Sequence, residues 1–167
     1  RCLQEDADPY YRLQWRFAWH TGCALHQKSL RDRCCFCDAP LEPHRLEAED
    51  QHVARCVSCK GDLRSCEALP CPEGLVPLQG QADRVARHGE GAFQGETLEA
   101  SSWFAVLGFL VGFSWKCARE RGEAQKVFLK ELGAAIPRPS RAEAGIGFEE
   151  LPVGDRQQVL STVEPLM

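Results

Sequence analysis

The chain has 167 residues, of which 44% are hydrophobic and 26% charged, and its formal net charge at pH 7 is -4. This length allows one ordinary domain or two small ones, and the net charge excludes a global attraction to nucleic acid, so that any DNA contact must be local. The ten cysteines predict either a disulfide framework or metal sites.

Residues 1–66 hold eight of the ten cysteines and four of the five histidines. Within this part, the alternation of Leu13, Trp15, Phe17 and Trp19 predicts a strand with one buried face, although the same side chains also suit a short helix. A segment of about 65 residues with this composition buries too little apolar surface to fold alone, so we expect metal ligation to supply the missing free energy.

Three ligand pairs with the spacing of zinc knuckles lie within 37 residues: Cys23-x2-His26, Cys34-x2-Cys37 and Cys56-x2-Cys59. Two ligands set three residues apart on a tight turn can bind one Zn2+, and two such turns complete a tetrahedron. A disulfide framework has no use for this spacing or for a histidine in place of one cysteine. A redox CxxC motif belongs in a βαβ context, which neither pair has. Zinc is therefore the favoured interpretation.

After the cysteine-rich part, Pro70, Pro72, Gly74 and Pro77 predict a linker over 67–77, and the remainder, 78–167, predicts a helical domain. The predicted helices cover 78–88 with a stop at Gly89, the apolar stretch within 96–121, then 123–132 and 153–163. Pro137 and Pro139 predict a break over 134–147. The expected fold class is a small zinc-stabilised α+β module of tandem zinc ribbons, followed by an all-α domain.

The run from Trp103 to Trp115 is the most apolar of the chain, with Ser114 as its only polar residue. Its 13 residues fall well short of the roughly 20 that a membrane span requires. We therefore expect a core helix and no membrane contact.

The first 63 residues resemble the zinc-ribbon region of TniQ/TnsD-like proteins, the target-selection factors of transposons. The matching residues are Cys2 with Leu3, Pro9 to Arg12, Trp15, Cys23 with His26, Leu30, Cys34 with Cys37, Pro40 with Leu41, His44, Cys56 with Cys59, and Asp62 with Leu63. A second, sparser match comprises Phe148-Glu149-x-Leu151-Pro152 and Asp155-Arg156. The chain departs from the family pattern at Cys35, where proline is usual, and at Lys60, where glycine is common.

The resemblance implies two zinc sites. Their ligands in this chain are Cys2, Cys23 and His26 for one site, with a fourth cysteine expected before Arg1, and Cys34, Cys37, Cys56 and Cys59 for the other. The 18 residues between Cys37 and Cys56 also fit the ribbon spacing. Spacing alone leaves open a neighbour pairing, in which Cys23, His26, Cys34 and Cys37 form one site and Cys56, Cys59, Cys66 and Cys71 the other. His20, Cys35 and Cys66 are substitute ligands to consider for the three-ligand site.

As the resemblance implies, the function is that of a non-enzymatic adaptor in DNA transposition, which links target-site recognition to the AAA+ ATPase of the transposon in the bacterial cytoplasm. Its expected partners are that ATPase and DNA or a nucleic-acid-guided targeting complex, and a homodimer is a further alternative. The competing class is a zinc-ribbon DNA-binding regulator that acts alone. The basic residues that we single out as candidate DNA contacts are Arg12, Arg16, Arg33, Arg45 and Lys60. A zinc hydrolase is a distant third, because no HExxH or HxE with PCxxC motif accompanies the ligands.

Overall fold

The computed structural model describes residues 1–119, 123–133, 137 and 146–167. It consists of two compact units, Arg1–Cys71 and Pro72–Met167. The division between the two units falls inside the predicted linker over 67–77. Most of the predicted break over 134–147 lies outside the described residues.

The first unit contains little regular structure. Helix α1 spans Cys2–Glu5, and a two-stranded antiparallel sheet pairs β1 (Gly22–Cys23) with β2 (Lys28–Ser29). Short 3-10 helices cover Leu13–Arg16, Pro43–Arg45, Ala48–Asp50 and Leu63–Ser65.

Of the two alternatives predicted for residues 13–19, the strand is wrong and the short helix is closer to the structure, since Leu13–Arg16 forms a single 3-10 turn. The N–H of Trp15 donates to the carbonyl of Arg12 at 3.1 Å, and the N–H of Phe17 donates to that of Gln14 at 3.0 Å. These local bonds use the backbone donors that a strand would offer to a neighbour. The aromatic side chains then pair within the turn region, as in the stacked rings of Phe17 and Trp19, whose centroids are 4.7 Å apart.

The second unit is mainly helical. Its helices are α2 (Leu75–His88), α3 (Ala100–Arg119), α4 (Glu123–Glu131) and α5 (Val153–Val163), and two further 3-10 turns cover Phe148–Glu150 and Glu164–Leu166. The predicted stop of α2 at Gly89 is confirmed, because Gly89 has a φ of 85° and its N–H donates to the carbonyl of Val85. The helix begins three residues before the predicted start and includes Pro77, which the first turn tolerates because N–H groups there have no helical partner.

A β-hairpin that the sequence did not predict precedes α3. Strands β3 (Glu90–Phe93) and β4 (Glu96–Glu99) are antiparallel and joined by Gln94 and Gly95, which have φ values of 50° and 85°. Two consecutive positive φ angles are typical of the tight hairpin turn for which Asn-Gly is the usual signal. Here glutamine replaces asparagine, so the signal was weak.

The core of the second unit lies along one face of α3, where Trp103, Leu107, Val111 and Trp115 recur every four residues and are buried. Trp103 is fully buried, and its indole N–H donates to the carbonyl of Ala92 on β3 at 3.1 Å. Helices α2 and α5 contact α3 and close this core with buried aliphatic side chains. A smaller cluster contains Cys117 and Leu129, with Phe113 and Leu166 packed against it.

By length and composition, α3 also qualifies as a membrane-crossing helix, and one third of its most apolar window is buried inside the structure. Those two properties alone do not distinguish a membrane span from the core helix of a soluble protein. The absence of membrane contact therefore remains a prediction.

Candidate metal centre

The three ligand pairs lie on three small hairpins with the same backbone geometry. In each hairpin, the residue before the first ligand pairs in antiparallel fashion with the residue seven positions later. These pairs are Gly22 with Ser29, Arg33 with Pro40, and Arg55 with Asp62. The three hairpins therefore present their ligands from equivalent backbone positions.

The residue after the second ligand of each hairpin adopts a left-handed conformation. Gln27, Asp38 and Lys60 have φ angles of 52°, 56° and 57°. The N–H groups of these residues donate to the carbonyls of the first ligands, Cys23, Cys34 and Cys56, at 2.8, 3.0 and 2.9 Å respectively. A positive φ turns the chain back over the two ligands, which explains why glycine suits this position and why Lys60 occupies it at some steric cost.

Two arginines form hydrogen bonds across the turns of the second and third hairpins. Arg33 and Arg55 each directly precede the first cysteine, and their guanidinium groups donate to the backbone carbonyls of Asp38 and Lys60. An arginine directly before the first cysteine of both pairs was visible in the sequence, but the prediction from ligand spacing did not use it. Both side chains therefore stabilise the turn that carries the ligands.

The four sulfurs of Cys34, Cys37, Cys56 and Cys59 come together between the second and third hairpins. All four lie within 4.8 Å of one another, and the Sγ distances from Cys34 to Cys59 and from Cys37 to Cys56 are both 3.7 Å. With Zn–S bonds of about 2.3 Å, tetrahedral coordination places neighbouring sulfurs about 3.8 Å apart. This cluster, the four-cysteine group, therefore fits a zinc ion.

The thiols of the four-cysteine group differ in acidity. Burial alone would raise the pKa of Cys56, but hydrogen bonds from the N–H groups of Cys59 and Ser58 and from the thiols of Cys34 and Cys37 lower that pKa to about 7. The N–H of Ala39 favours the Cys37 thiolate, yet desolvation and the neighbouring thiols raise the pKa of Cys37 to about 12. The group thus concentrates its first negative charge on Cys56, and thiolate is the form that binds zinc.

A second cluster, the three-ligand group, contains Cys2, Cys23 and His26. The sulfurs of Cys2 and Cys23 are 3.2 Å apart, and they lie 3.2 and 3.3 Å from Nδ1 of His26. These distances are somewhat shorter than those around a bound zinc, which would spread the donors. The donor set of two thiols and one imidazole is one that zinc accepts.

Glu5 orients the imidazole of the three-ligand group. Its Oε2 lies 2.7 Å from Nε2 of His26, while its Oε1 forms an ion pair of 2.6 Å with Arg1. A carboxylate on Nε2 keeps a proton there, so that Nδ1 offers its lone pair toward the two sulfurs. The hydrogen bond to His26 is also the main cause that lowers the pKa of Glu5. Ligand spacing alone did not identify this residue.

The two thiols of the three-ligand group also differ in their pKa values. Burial, together with the Cys23 thiol, raises the pKa of Cys2 to about 11. The pKa of Cys23 is lowered despite burial, because its sulfur accepts hydrogen bonds from the thiol of Cys2 and from the backbone N–H groups of His26 and Leu25. Cys23 is therefore the sulfur that ionises first.

The structure excludes the neighbour pairing. Cys66 forms a disulfide with Cys35, and neither these two residues nor His20 joins a described metal group. The interpretation of His20, Cys35 and Cys66 as substitute ligands for the three-ligand group is therefore wrong, because none of them lies with Cys2, Cys23 and His26.

The candidate ligands also form most of the apolar interior of the first unit. In residues 1–71, the buried apolar side chains are Cys2, Cys23, Cys34, Ala54 and Cys56. All of these except Ala54 belong to the two metal groups. The first unit therefore has almost no hydrophobic core apart from its candidate ligands, as expected for a fold that depends on metal.

Most of the basic residues that we singled out as DNA contacts are paired with nearby carboxylates. The pairs are Arg12 with Asp6, Arg33 with Asp38, Arg45 with Glu42, and Lys60 with Asp50. Arg12 is held further by the rings of Tyr10 and Trp15, whose centroids lie 4.6 and 5.2 Å from its guanidinium carbon. Arg16 is exposed at the end of its 3-10 turn.

Searches for relatives match this chain to no family model, no curated protein and no solved structure.

Proposed function

We propose that this chain is a non-enzymatic adaptor of the TniQ/TnsD-like type in DNA transposition, which links target-site recognition to the AAA+ ATPase of the transposon. The zinc-knuckle pattern and its family-like spacing support the family. An adaptor requires two binding surfaces, and the division into a metal unit and a helical unit is compatible with that requirement.

The observation that carries the adaptor role is an exposed apolar surface on the helical unit. Phe109 on α3 and Val127, Phe128 and Leu132 on and just after α4 have 69%, 51%, 49% and 45% of their surfaces exposed. Phe113 connects them, with its ring centroid 6.2 Å from that of Phe109 and 5.6 Å from that of Phe128. We call these five residues the apolar patch, in which three members are phenylalanines and Phe113 is half-buried. Exposed apolar surface with aromatic side chains is typical of protein-binding sites.

The stand-alone regulator receives less support from the charges of the metal unit. Residues 1–71 contain ten basic and eleven acidic residues, and four of the five candidate DNA contacts are ion-paired within the unit. Unspecific DNA affinity depends on basic side chains that are free to replace counterions at phosphates. These charges therefore favour an adaptor that a partner brings to DNA over a regulator that binds DNA by itself.

The test is binding to the AAA+ ATPase that the same transposon encodes. Phe109→Ser should weaken that binding at least about tenfold, because a central aromatic anchor contributes more than 1 kcal/mol to many interfaces. Leu25→Ser is the matched control: Leu25 is 79% exposed but belongs to the metal unit. Arg16→Glu, at an exposed position, should leave ATPase binding unchanged and weaken the contact with DNA or the targeting complex.

Two results would overturn the proposal. The adaptor role falls if Phe109→Ser binds the ATPase as well as the unmodified chain does. It also falls if the unmodified chain binds no ATPase but binds duplex DNA tightly by itself, in which case the regulator takes its place.

A further inference from the structure

The disulfide between Cys35 and Cys66 links the same two parts of the chain as the four-cysteine group does. Cys35 lies between the ligands Cys34 and Cys37 of the second hairpin. Cys66 follows the 3-10 turn Leu63–Ser65, which directly follows the third hairpin with its ligands Cys56 and Cys59. The disulfide is therefore a covalent crosslink between the same two parts of the chain that the four-cysteine group brings together.

We propose that the Cys35–Cys66 pair is a redox-sensitive crosslink that determines how tightly the four-cysteine group holds zinc. The inference concerns the metal site and does not depend on the adaptor role. Oxidation joins the two hairpins and favours zinc retention, whereas reduction separates them and favours zinc release.

The oxidant in this proposal is a low-molecular-weight disulfide such as oxidised glutathione. The thiolate of Cys35 attacks one sulfur of that disulfide and releases one glutathione thiolate. The thiolate of Cys66 then attacks the mixed disulfide, so that the Cys35–Cys66 bond forms and a second glutathione leaves. Two protein thiols are oxidised, one glutathione disulfide is reduced, and the two protons pass to the released thiolates. Cys35 is exposed and accessible for this exchange.

The direction of the effect follows from chain entropy. Zinc binding to the reduced chain must bring the second and third hairpins together, and this ordering weakens the observed affinity. The disulfide closes a loop with a sequence separation of 31, which accounts for at most about 500-fold in the zinc association constant if the metal-free unit is unfolded. Residual structure in the metal-free unit would make the gain smaller.

The distribution of the cysteines favours a redox switch over a purely structural staple. Of the eight cysteines in residues 1–66, six lie in the two metal groups and therefore must remain as thiols. Such a set needs a reducing compartment, where a disulfide is usually transient and redox-sensing. If the Cys35–Cys66 bond opens and closes there, the affinity of the neighbouring site for zinc changes with the redox state of the compartment.

The test is a zinc competition titration of the full chain against a chromophoric chelator in glutathione buffers of varied oxidation state. Mass spectrometry of peptides monitors the Cys35–Cys66 bond in the same samples. We expect one zinc equivalent to bind at least tenfold more weakly once the bond is reduced. Cys35→Ser and Cys66→Ser should bind zinc like the reduced chain in every buffer. Cys71→Ser should respond to oxidation like the unmodified chain, because Cys71 belongs to neither the disulfide nor the metal groups.

The redox titration of the unmodified chain does not depend on whether the variants fold. Equal zinc affinity before and after reduction overturns the inference, and so does failure of the bond to form in the most oxidising buffer. A chain that binds no zinc in any buffer overturns both the inference and the metal site. The adaptor role is tested separately by ATPase binding.

Discussion

Glu5 shows at the scale of the residue how a candidate metal ligand, His26, is oriented by a side chain outside the ligand set. The carboxylate joins Arg1 to His26 and lies on α1, the helix that also carries the ligand Cys2. One short helix thus supplies both a ligand and the group that orients another ligand. Partners of this kind fix the tautomer of the imidazole and its direction.

Replacement of Glu5 by glutamine should weaken metal binding at the three-ligand group by about 10- to 100-fold, the usual cost of losing such a partner. The measurement is titration with Co2+, followed by the absorption of the cobalt–thiolate complex. Glu49→Gln is the control, because Glu49 is exposed in the 3-10 turn Ala48–Asp50 and lies outside both metal groups. Unchanged cobalt affinity in Glu5→Gln would show that His26 needs no partner.

Six of the seven candidate ligands could be predicted from spacing, because three pairs set three residues apart are a local property of the sequence, whereas Cys2 was predicted from the resemblance to TniQ/TnsD-like proteins. The grouping of these residues into two sites could not be predicted from spacing, since spacing also allowed the neighbour pairing. The Cys35–Cys66 bond could not be predicted, because it depends on how the segment after the third hairpin returns to the second hairpin. The candidate DNA contacts were predicted from charge alone, and charge does not reveal which carboxylates lie beside each basic residue.

The helices illustrate at the scale of the element which signals are reliable. The last helix, Val153–Val163, has the predicted bounds, and the first long helix ends where its glycine stop predicted. The hairpin of β3 and β4 was not predicted, because strands of only four residues show little alternation of apolar and polar residues. At residues 13–16 the alternation allowed either a strand or a short helix, and the structure has the helical alternative, because alternation of aromatic residues does not require a neighbouring strand.

Substitution by alanine should change the stability of the helical unit in opposite directions at Gly91 on β3 and at Gly108 on α3. A methyl group on Gly91 would collide with Val85 and lie 3.0 Å from Cδ1 of Trp103, whereas one on Gly108 meets nothing within 4 Å. Gly91→Ala should therefore destabilise the helical unit by about 1–3 kcal/mol, and Gly108→Ala should stabilise it by up to about 1 kcal/mol. Chemical denaturation of both variants measures the two changes.

The Gly108→Ala result also tests the spacing of Gly108 and Gly112. If the variant is destabilised, the two glycines serve a close helix contact, contrary to the open space beside them in the described structure. If Gly91→Ala is neutral, the hairpin does not pack on Trp103 as described.

At the scale of the whole molecule, the two units should differ in their need for metal. The helical unit has a core of large apolar side chains, whereas the interior of the metal unit consists mainly of candidate ligands. The helical unit should therefore fold without zinc, whereas the metal unit, residues 1–71, should not.

Treatment with a strong chelator under reducing conditions should abolish the thermal transition of residues 1–71 and leave that of 72–167 in place. Calorimetry of the full chain, with and without restored zinc, measures both transitions. Cys56→Ser should lose about one zinc equivalent, because it removes one ligand of the four-cysteine group. Cys71→Ser is the control, since it lies outside both metal groups. A first unit that melts cooperatively without metal would contradict the assignment.

The four-cysteine group has one further consequence, which concerns the charge of the loaded protein. Four thiolates around one Zn2+ carry roughly two negative charges in excess, and two of these sulfurs, Cys37 and Cys59, are exposed. Zinc loading would thus lower the isoelectric point of a unit whose basic and acidic residues already nearly balance. Arg33 and Arg55 donate to the carbonyls of the residues that follow these two sulfurs. With zinc bound, these two guanidinium groups would therefore lie beside an anionic complex and partly offset its charge.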